Sequence, residues 1–313
     1  MNPHQRHVPR PGAARRGMRT VRDLLRYACS RFGAADLHHG HGVADPHDEA
    51  AWLILWSLHL PPTPLEPWLD ARLTPGEIEG IVELVERRCS DRTPLPYLTG
   101  EAWLRGLRFR ADPRALIPRS PIAEAIEESL PEWLDAIGRP AQWPRSILDL
   151  CTGGGSIAIV AALAYPEARV DAADISAAAL ELAAENIAEH GLDGRIALHR
   201  GDLFAPLRRR RFDLILCNPP YVNSQSMARL PAEFLAEPGL ALAGGIDGMD
   251  LVRRILARAP GHLTVDGLLL LEIGHEAEHF EAAFPRLEFG WLPVAAGDRM
   301  LAIITRRQLE AAR

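Results

Sequence analysis

Residues 147–160 read ILDLCTGGGSIAIV: an apolar run, three consecutive glycines and a second apolar run. The order is strand, glycine turn, helix from Gly155, a context in which backbone N–H groups can approach a ligand closely. Downstream the same alternation continues. RVDAADI (169–175), a helix capped by Ser176, RIALHR (195–200), FDLILCN (212–218), GLLLLEIG (267–274), FGWLPVA (289–295) and RMLAIITR (299–306) follow in turn. Together with SILDLC (146–151) they predict a mostly parallel, doubly wound α/β sheet of the Rossmann-like kind. The last two strands, joined by the short turn Gly297-Asp298, are expected to pair antiparallel at one edge.

Upstream, the pattern changes. Residues 1–18 mix Arg, Pro, Gly and His with almost nothing to bury and are expected to be a disordered extension. Residues 19–93 read as a small helical domain in which Thr74, Pro75 and Glu77 form a capping box with proline at the first helical position. Residues 94–118 carry alternation broken by Gly106 and Asp112-Pro113, which predicts a linking β-hairpin; the main domain then runs from 119 to 313.

Composition narrows the classes. The chain has 313 residues, 47% hydrophobic and 24% charged, with a formal net charge of -6, so it is globular and lacks the overall basic balance of a nucleic-acid binder. Cys29, Cys89, Cys151 and Cys217 stand far apart, without zinc-ligand spacing, and read as free thiols in a reducing cytoplasm; no metal is expected. The apolar stretch from Ala50 to Pro61 is too short to span a bilayer, so no membrane partner is expected either. The run Arg208 to Arg211 is most simply a solvated loop, the sharper alternative being contact with RNA phosphates.

At the glycine turn, Gly153 and Gly155 are the expected contacts with a cofactor, but with Ala158 they also satisfy a dinucleotide fingerprint, and the turn alone does not separate NAD from S-adenosylmethionine. Asp174, ending the second strand, is placed to accept hydrogen bonds from both hydroxyls of an adenosine ribose. Asp202 falls where an adenine edge would lie, although an Asp after a strand also serves as a turn or cap residue. Asp149 could hold an ammonium group, or be satisfied by turn N–H groups.

The tip of the fourth strand, CNPPY (217–221), adds a different demand. The Asn218 side chain and the Pro219 backbone carbonyl are adjacent acceptors, and proline has no N–H of its own. Two fixed acceptors suit an NH2 group. An amide or arylamine nitrogen has a delocalised lone pair and must pyramidalise as a methyl group arrives, and acceptors on its two hydrogens favour that geometry. Pro219 and Pro220 stiffen the turn, and Tyr221 is expected to cover the flat face of the amide or base.

With both motifs in place, the chain resembles the class I S-adenosylmethionine-dependent methyltransferases, more narrowly the protein-glutamine N5-methyltransferases. Within them it is most similar to the branch directed at ribosomal protein L3. The resemblance runs from Arg19 onward through DEAAWLILWSLHLP, RTPLPYLTGEAWLRGLRF, LIPRSPIAE, ILDLCTGGGSIAI, DAADIS, GDLF, CNPPYV and EPGLALAGGIDGMDLVRRIL.

The resemblance implies S-adenosylmethionine as methyl donor, S-adenosylhomocysteine as product, no metal, and ribosomal protein L3 as substrate, with ribosomal RNA as a candidate neighbour in assembly precursors. It implies Asp149, Cys151, Thr152, Gly153, Gly155, Asp174, Ile175, Asp202, Leu203 and Asn218 as cofactor-binding. Asn218, Pro219, Pro220, Tyr221 and Arg119 are the substrate set, with Asn218, Pro219 and Tyr221 as the catalytic group. Cys151 departs from the wider group by replacing the first glycine of the turn. Branch assignment rests chiefly on LIPRSPIAE (116–124), where release-factor enzymes usually carry Pro-Asp-Thr-Glu after Ile-Pro-Arg; Ser120 and Pro121 could also simply start a helix. The alternatives are methylation of the release-factor glutamine and adenine-N6 methylation of nucleic acid, the latter opposed by the acidic balance.

Overall fold

Two units emerge in the computed structural model, which describes residues 17–43, 45–139 and 143–313. One contains the chain up to Glu101 together with Pro231–Ala236; the other contains Ala102–Leu230 and Glu237–Arg313.

The first unit is helical: α1 (Val21–Ala34), α2 (Pro46–Ser57), α3 (Pro75–Asp91) and the short α4 (Leu95–Thr99). The Thr74–Glu77 capping box forms as expected, and Thr20 with Asp23 makes another at the start of α1. The core is built on Leu24, Phe32, Leu53, Ile81 and Val85. Met18, assigned by composition to the extension, is buried in that core, while residues 1–16 of the expected extension lie outside the described residues. Residues 231–236 bring Glu233, fully buried, to Arg88 at 3.5 Å and Arg92 at 2.9 Å, and Arg88 also binds Glu49. This pairing of 231–236 with the helices has no counterpart in the sequence reading, because its contacts are more than a hundred residues apart.

The second unit takes in, from Ala102 on, the hairpin β1 (Glu101–Leu104) and β2 (Leu107–Arg110), followed by α5 (Ile122–Glu127) and α6 (Ser129–Ala136). The hairpin groups with this unit rather than standing as a separate linker, because the Arg110 N–H donates to the Asn186 side chain at 2.7 Å and Arg108 and Arg110 both pair with Glu189.

Next come β3 (Ser146–Leu150), α7 (Ser156–Ala164), β4 (Arg169–Asp174), α8 (Ala177–Glu189), β5 (Ile196–Arg200) and β6 (Phe212–Cys217). The remainder is α9 (Ser224–Met227), α10 (Asp250–His262), β7 (Leu263–Glu272), α11 (Ala277–Ala283), β8 (Gly290–Leu292), β9 (Leu301–Thr305) and α12 (Arg306–Ala311).

The seven strands order as β5-β4-β3-β6-β7-β9-β8, parallel from β5 to β7 and antiparallel through β9 and β8. Both faces are covered. Along β6, Leu214 and Leu216 enter one core and Phe212, Ile215 and Cys217 the other, which is why the sequence of this strand shows no polar alternation. Strand β7 starts at Leu263, earlier than the expected Gly267, because its pairing with β6 contains a bulge. At Gly267 a Cβ would lie 2.9 Å from the Phe212 carbonyl oxygen, so the close approach requires glycine.

The order reverses between β3 and β6: the chain first winds outward through β4 and β5, then returns to the other side of β3. Such a switch point opens a crevice beyond the carboxyl ends of the strands. Leu150 is in register with both Ala173 and Cys217, and Cys217 with Leu271, so the tips of β3, β4, β6 and β7 come level there.

Candidate active site

The glycine turn between β3 and α7 is built on left-handed backbone. Gly153 and Gly155 have φ of 54° and 83°, and Cys151, at the place of the missing first glycine, has φ of 64°. The replacement therefore keeps the glycine-type conformation, at the roughly 1–2 kcal/mol cost of putting an L-residue there.

Asp149 lies fully buried beneath the turn. Its Oδ2 accepts from the Thr152 hydroxyl at 2.5 Å and from the Ala158 N–H at 3.0 Å, so the expected satisfaction by turn groups holds for that oxygen. Its Oδ1 is buried with no hydrogen-bond partner among the described residues. Burial pushes this carboxyl up to about 7 against the opposing pull of those two bonds. Asp174 clasps the turn from β4: its Oδ2 accepts from Gly153 N–H at 2.9 Å and its Oδ1 from Ser176 N–H at 2.8 Å.

Asn186 of α8 completes the support. Fully buried, it donates to the Gly154 carbonyl at 2.9 Å while accepting from Arg110 N–H.

A cavity of about 290 Å³ lies over these tips, near the lower end of the range of roughly 300–1,000 Å³ for small-molecule sites. Of the expected cofactor residues, Cys151, Thr152, Gly153, Asp174, Ile175, Asp202, Leu203 and Asn218 line it. Asp149 and Gly155 stand behind the wall. Gly155 is favoured by its φ of 83°, and a Cβ there would sit tightly against Ala183 at 3.1 Å. Ile175 offers 51% of an apolar side chain at the mouth, beside Asp174. Asp202 shares its carboxylate with Arg254 of α10, a cavity residue not anticipated from sequence.

On the substrate side, Arg119, Asn218 and Pro220 line the cavity and Pro219 and Tyr221 do not. Arg119 is gripped by Glu237 through two nitrogens, at 2.9 and 2.8 Å, and Glu237 also accepts from Ile117 N–H at 3.0 Å. Glu237 opens the EPG run and is buried, a carboxylate that the sequence reading left unassigned.

Tyr221 does not lie open as a cover. Its ring packs on Gly274, where a Cβ would fall 2.4 Å from the ring, and its hydroxyl donates to Glu272 at 3.0 Å. Its backbone is pressed by glycines too: a Cβ at Gly244 would meet the Tyr221 Cα at 2.7 Å, and one at Gly248 its carbonyl oxygen at 2.1 Å.

The other oxygen of Glu272 accepts from the Ser120 hydroxyl at 2.5 Å. Burial pushes Glu272 up to about 7, opposed by those two donors and by the charge of Arg119. Ser120 also accepts from Ile122 N–H at 3.2 Å, so its helix-starting role and a role at the site coexist.

Of the arginine run, Arg210 pairs with Asp171 at 2.6 Å and Arg211 donates to the Leu263 carbonyl at 3.0 Å, while Arg208 and Arg209 are exposed. Among the described residues no helix is long and apolar enough to cross a membrane.

The donor set fits S-adenosylmethionine: a carboxylate on β4 at the cavity, an exposed apolar side chain next to it, and an orphaned buried carboxylate oxygen under the turn. With the reversed strand order and the Asn-Pro-Pro-Tyr tip, fold and site define a class I S-adenosylmethionine-dependent methyltransferase.

Comparison with known proteins narrows the class. Residues 139–246 match the Methyltransferase small domain family and residues 23–100 the PrmC N-terminal domain family. The chain is 55% identical to the ribosomal protein uL3 glutamine methyltransferase of Bordetella pertussis, over 94% of this chain and 98% of that one. It is 50% identical to that of Burkholderia pseudomallei, over 94% and 96%. A solved methyltransferase from Pyrococcus furiosus superposes with a TM-score of 0.45 at 18% identity, covering 64% of this chain and 89% of that one. The chain belongs to the ribosomal protein uL3 glutamine methyltransferase family.

Proposed function

We propose that this protein transfers the methyl group of S-adenosylmethionine to the N5 side-chain amide of a glutamine in ribosomal protein uL3, in the cytoplasm where that protein is made. The reading is supported by the Asn218 side chain in the lining of the cavity, with Pro219 next to it in the Asn-Pro-Pro-Tyr tip. Bound S-adenosylmethionine supplies an electrophilic methyl on sulfonium and leaves as S-adenosylhomocysteine.

The chain's own residues do the rest. Asp174 and Asp202 offer carboxylates to the adenosine, with Ile175 and Leu203 as apolar walls, and Asp149 faces the turn with one oxygen to spare for a cation. Asn218 and the Pro219 carbonyl hold the two amide hydrogens, which fixes the nitrogen lone pair toward the methyl and stabilises positive charge as the N–C bond forms. Pro219 and Pro220 deny the tip backbone freedom. The methylated, protonated amide is acidic enough to lose its proton to water, so no strong general base is required. Arg119, held by Glu237 at the cavity, is the candidate contact for the protein substrate.

The test is incubation with labelled cofactor and, in parallel, purified uL3, release factor or an adenine-containing oligonucleotide, with the label mapped by mass spectrometry. Label on a uL3 glutamine is expected; label confined to release factor or adenine would overturn the reading. Asn218→Ala should lower kcat by about a hundredfold or more while cofactor affinity stays within about threefold, since the substitution removes one charge-stabilising acceptor. Unchanged turnover would refute the acceptor role.

A further inference from the structure

The segment EIGHE (272–276), which begins at the last residue of β7, plays no part in the reading above, yet it holds the tail of the NPPYVN stretch. Glu272 binds the Tyr221 hydroxyl at 3.0 Å, Gly274 lies under the Tyr221 ring, and Glu276 binds the Asn223 side chain at 2.6 Å. Glu272 is 3% exposed and Glu276 is 7% exposed. Burying a carboxylate is unfavourable unless hydrogen bonds or an opposite charge compensate it. Here both are directed at one six-residue stretch, the one that begins with the acceptor pair.

The second partner of Glu272 is Ser120, at 2.5 Å, from the LIPRSPIAE segment whose Leu116, Ile117, Pro118, Arg119 and Ser120 line the cavity. One side chain therefore ties Tyr221 to a segment that lines the cavity. Tyr221 itself does not line the cavity, which leaves its ring without the covering role expected from sequence and makes its hydroxyl the functional end.

We propose that Ser120 and Glu272 are positioning residues for methyl transfer: through the Tyr221 hydroxyl they fix the NPPY tip so that the Asn218 and Pro219 acceptors meet the substrate nitrogen. The inference rests on the methyltransferase reading above and deepens it. It separates two roles of Tyr221 that are otherwise hard to distinguish. A ring that covers the substrate is served equally well by phenylalanine; a ring that acts through its hydroxyl is not.

The experiment measures kcat and KM with purified uL3 and S-adenosylmethionine, and cofactor Kd by calorimetry, for the full-length wild type and for Tyr221→Phe, Glu272→Ala, Glu272→Gln and the Tyr221→Phe/Glu272→Ala double variant. Tyr221→Phe should lower kcat about tenfold or more, with KM and Kd within about threefold, because one hydrogen bond to a carboxylate is lost. Glu272→Ala should fall further, and the double variant should be no slower than Glu272→Ala alone, since both changes break the same link. Glu272→Gln keeps an acceptor for the tyrosine and presents an N–H to the Ser120 oxygen, so it should restore most of the rate.

Wild-type kcat in Tyr221→Phe would overturn the proposal, and it decides the matter alone if Glu272→Ala does not fold. Glu272→Gln as slow as Glu272→Ala, or a loss of cofactor affinity in step with kcat, would overturn it as well. If the wild type itself puts no label on uL3, the substrate reading fails, an outcome distinct from every variant result.

Discussion

Replacing Asn186 by alanine should uncouple the cofactor turn from its support. The side chain is fully buried and bridges three pieces of chain: its amide nitrogen donates to the Gly154 carbonyl at 2.9 Å and to the Arg110 carbonyl at 3.4 Å, and its oxygen accepts from Arg110 N–H at 2.7 Å. Alanine leaves the Gly154 carbonyl and the Arg110 N–H without these partners. A buried neutral group left unsatisfied costs about 1–3 kcal/mol. The Gly154 bond is buried and the Arg110 bonds only partly so, which lets water recover some of the second loss. The expected destabilisation is therefore about 2–4 kcal/mol. Aspartate is no remedy, because it would turn a carboxylate oxygen toward the Gly154 carbonyl. Urea unfolding gives the free energy, and hydrogen exchange at the amides of β3 and α7 assigns the loss to the right unit, since two units need not unfold together. Cofactor Kd should rise in the same variant, because Gly153 and Gly154 move with the turn. A loss under about 0.5 kcal/mol, the scale of an ordinary surface substitution, would refute the bridging role.

Burial raises the Asp149 carboxyl from 3.8 to about 7, so its contribution to stability is fully present below about pH 4 and is lost as pH rises through 7. Asp149→Asn should therefore gain on the wild type in apo-protein thermal stability between pH 5 and pH 8 and bind S-adenosylmethionine more weakly; a stability gap that does not widen with pH would contradict this. Gly274→Ala places a Cβ 2.4 Å from the Tyr221 ring at a residue with φ of 57°, and should slow methyl transfer about tenfold with cofactor Kd nearly unchanged. Steady-state kinetics beside calorimetry checks it, and an unaltered kcat would show that Tyr221 has room to move.

Much of this arrangement was legible before the structure, and the boundary follows the range of the interactions. Local chemistry reads directly from residues 147–160 and 212–221, because strand, turn and helix signals lie within a few residues of each other. The expected Asp174 position at the cavity comes from the same local logic. A covering role for Tyr221 is what the local sequence suggests, because Glu272 and Gly274, on which its hydroxyl and ring rest, come from the end of β7 and the turn after it, some fifty residues on. Glu237 on Arg119 and Glu233 among the helices are likewise long-range pairings that no period reveals. One signal was nonetheless available: Glu272 closes the apolar run GLLLLE, and a carboxylate at the tip of a strand buried on both faces needs a partner.

The distribution of unfavourable groups follows from the chemistry. An amide nitrogen is so weak a nucleophile that orientation and fixed acceptors must supply much of the rate, and both require a tip that does not relax. Four buried carboxylates stand around that place, Asp149 under the cofactor turn, Glu272 and Glu276 behind the strand tip, and Glu237 on Arg119, while Glu49, Asp171 and Glu233 are buried elsewhere. Each would lower stability as an isolated charge in a core; Glu237, Glu272 and Glu276 are matched by donors from distant segments, whereas Asp149 takes its donors from its own turn and keeps one oxygen without a partner among the described residues. A core of leucines at those positions would be more stable, yet it would leave Tyr221, Asn223 and Arg119 to choose their own rotamers. The left-handed Cys151 and Leu203, with φ of 64° and 50°, extend the same exchange of stability for geometry to the cofactor side.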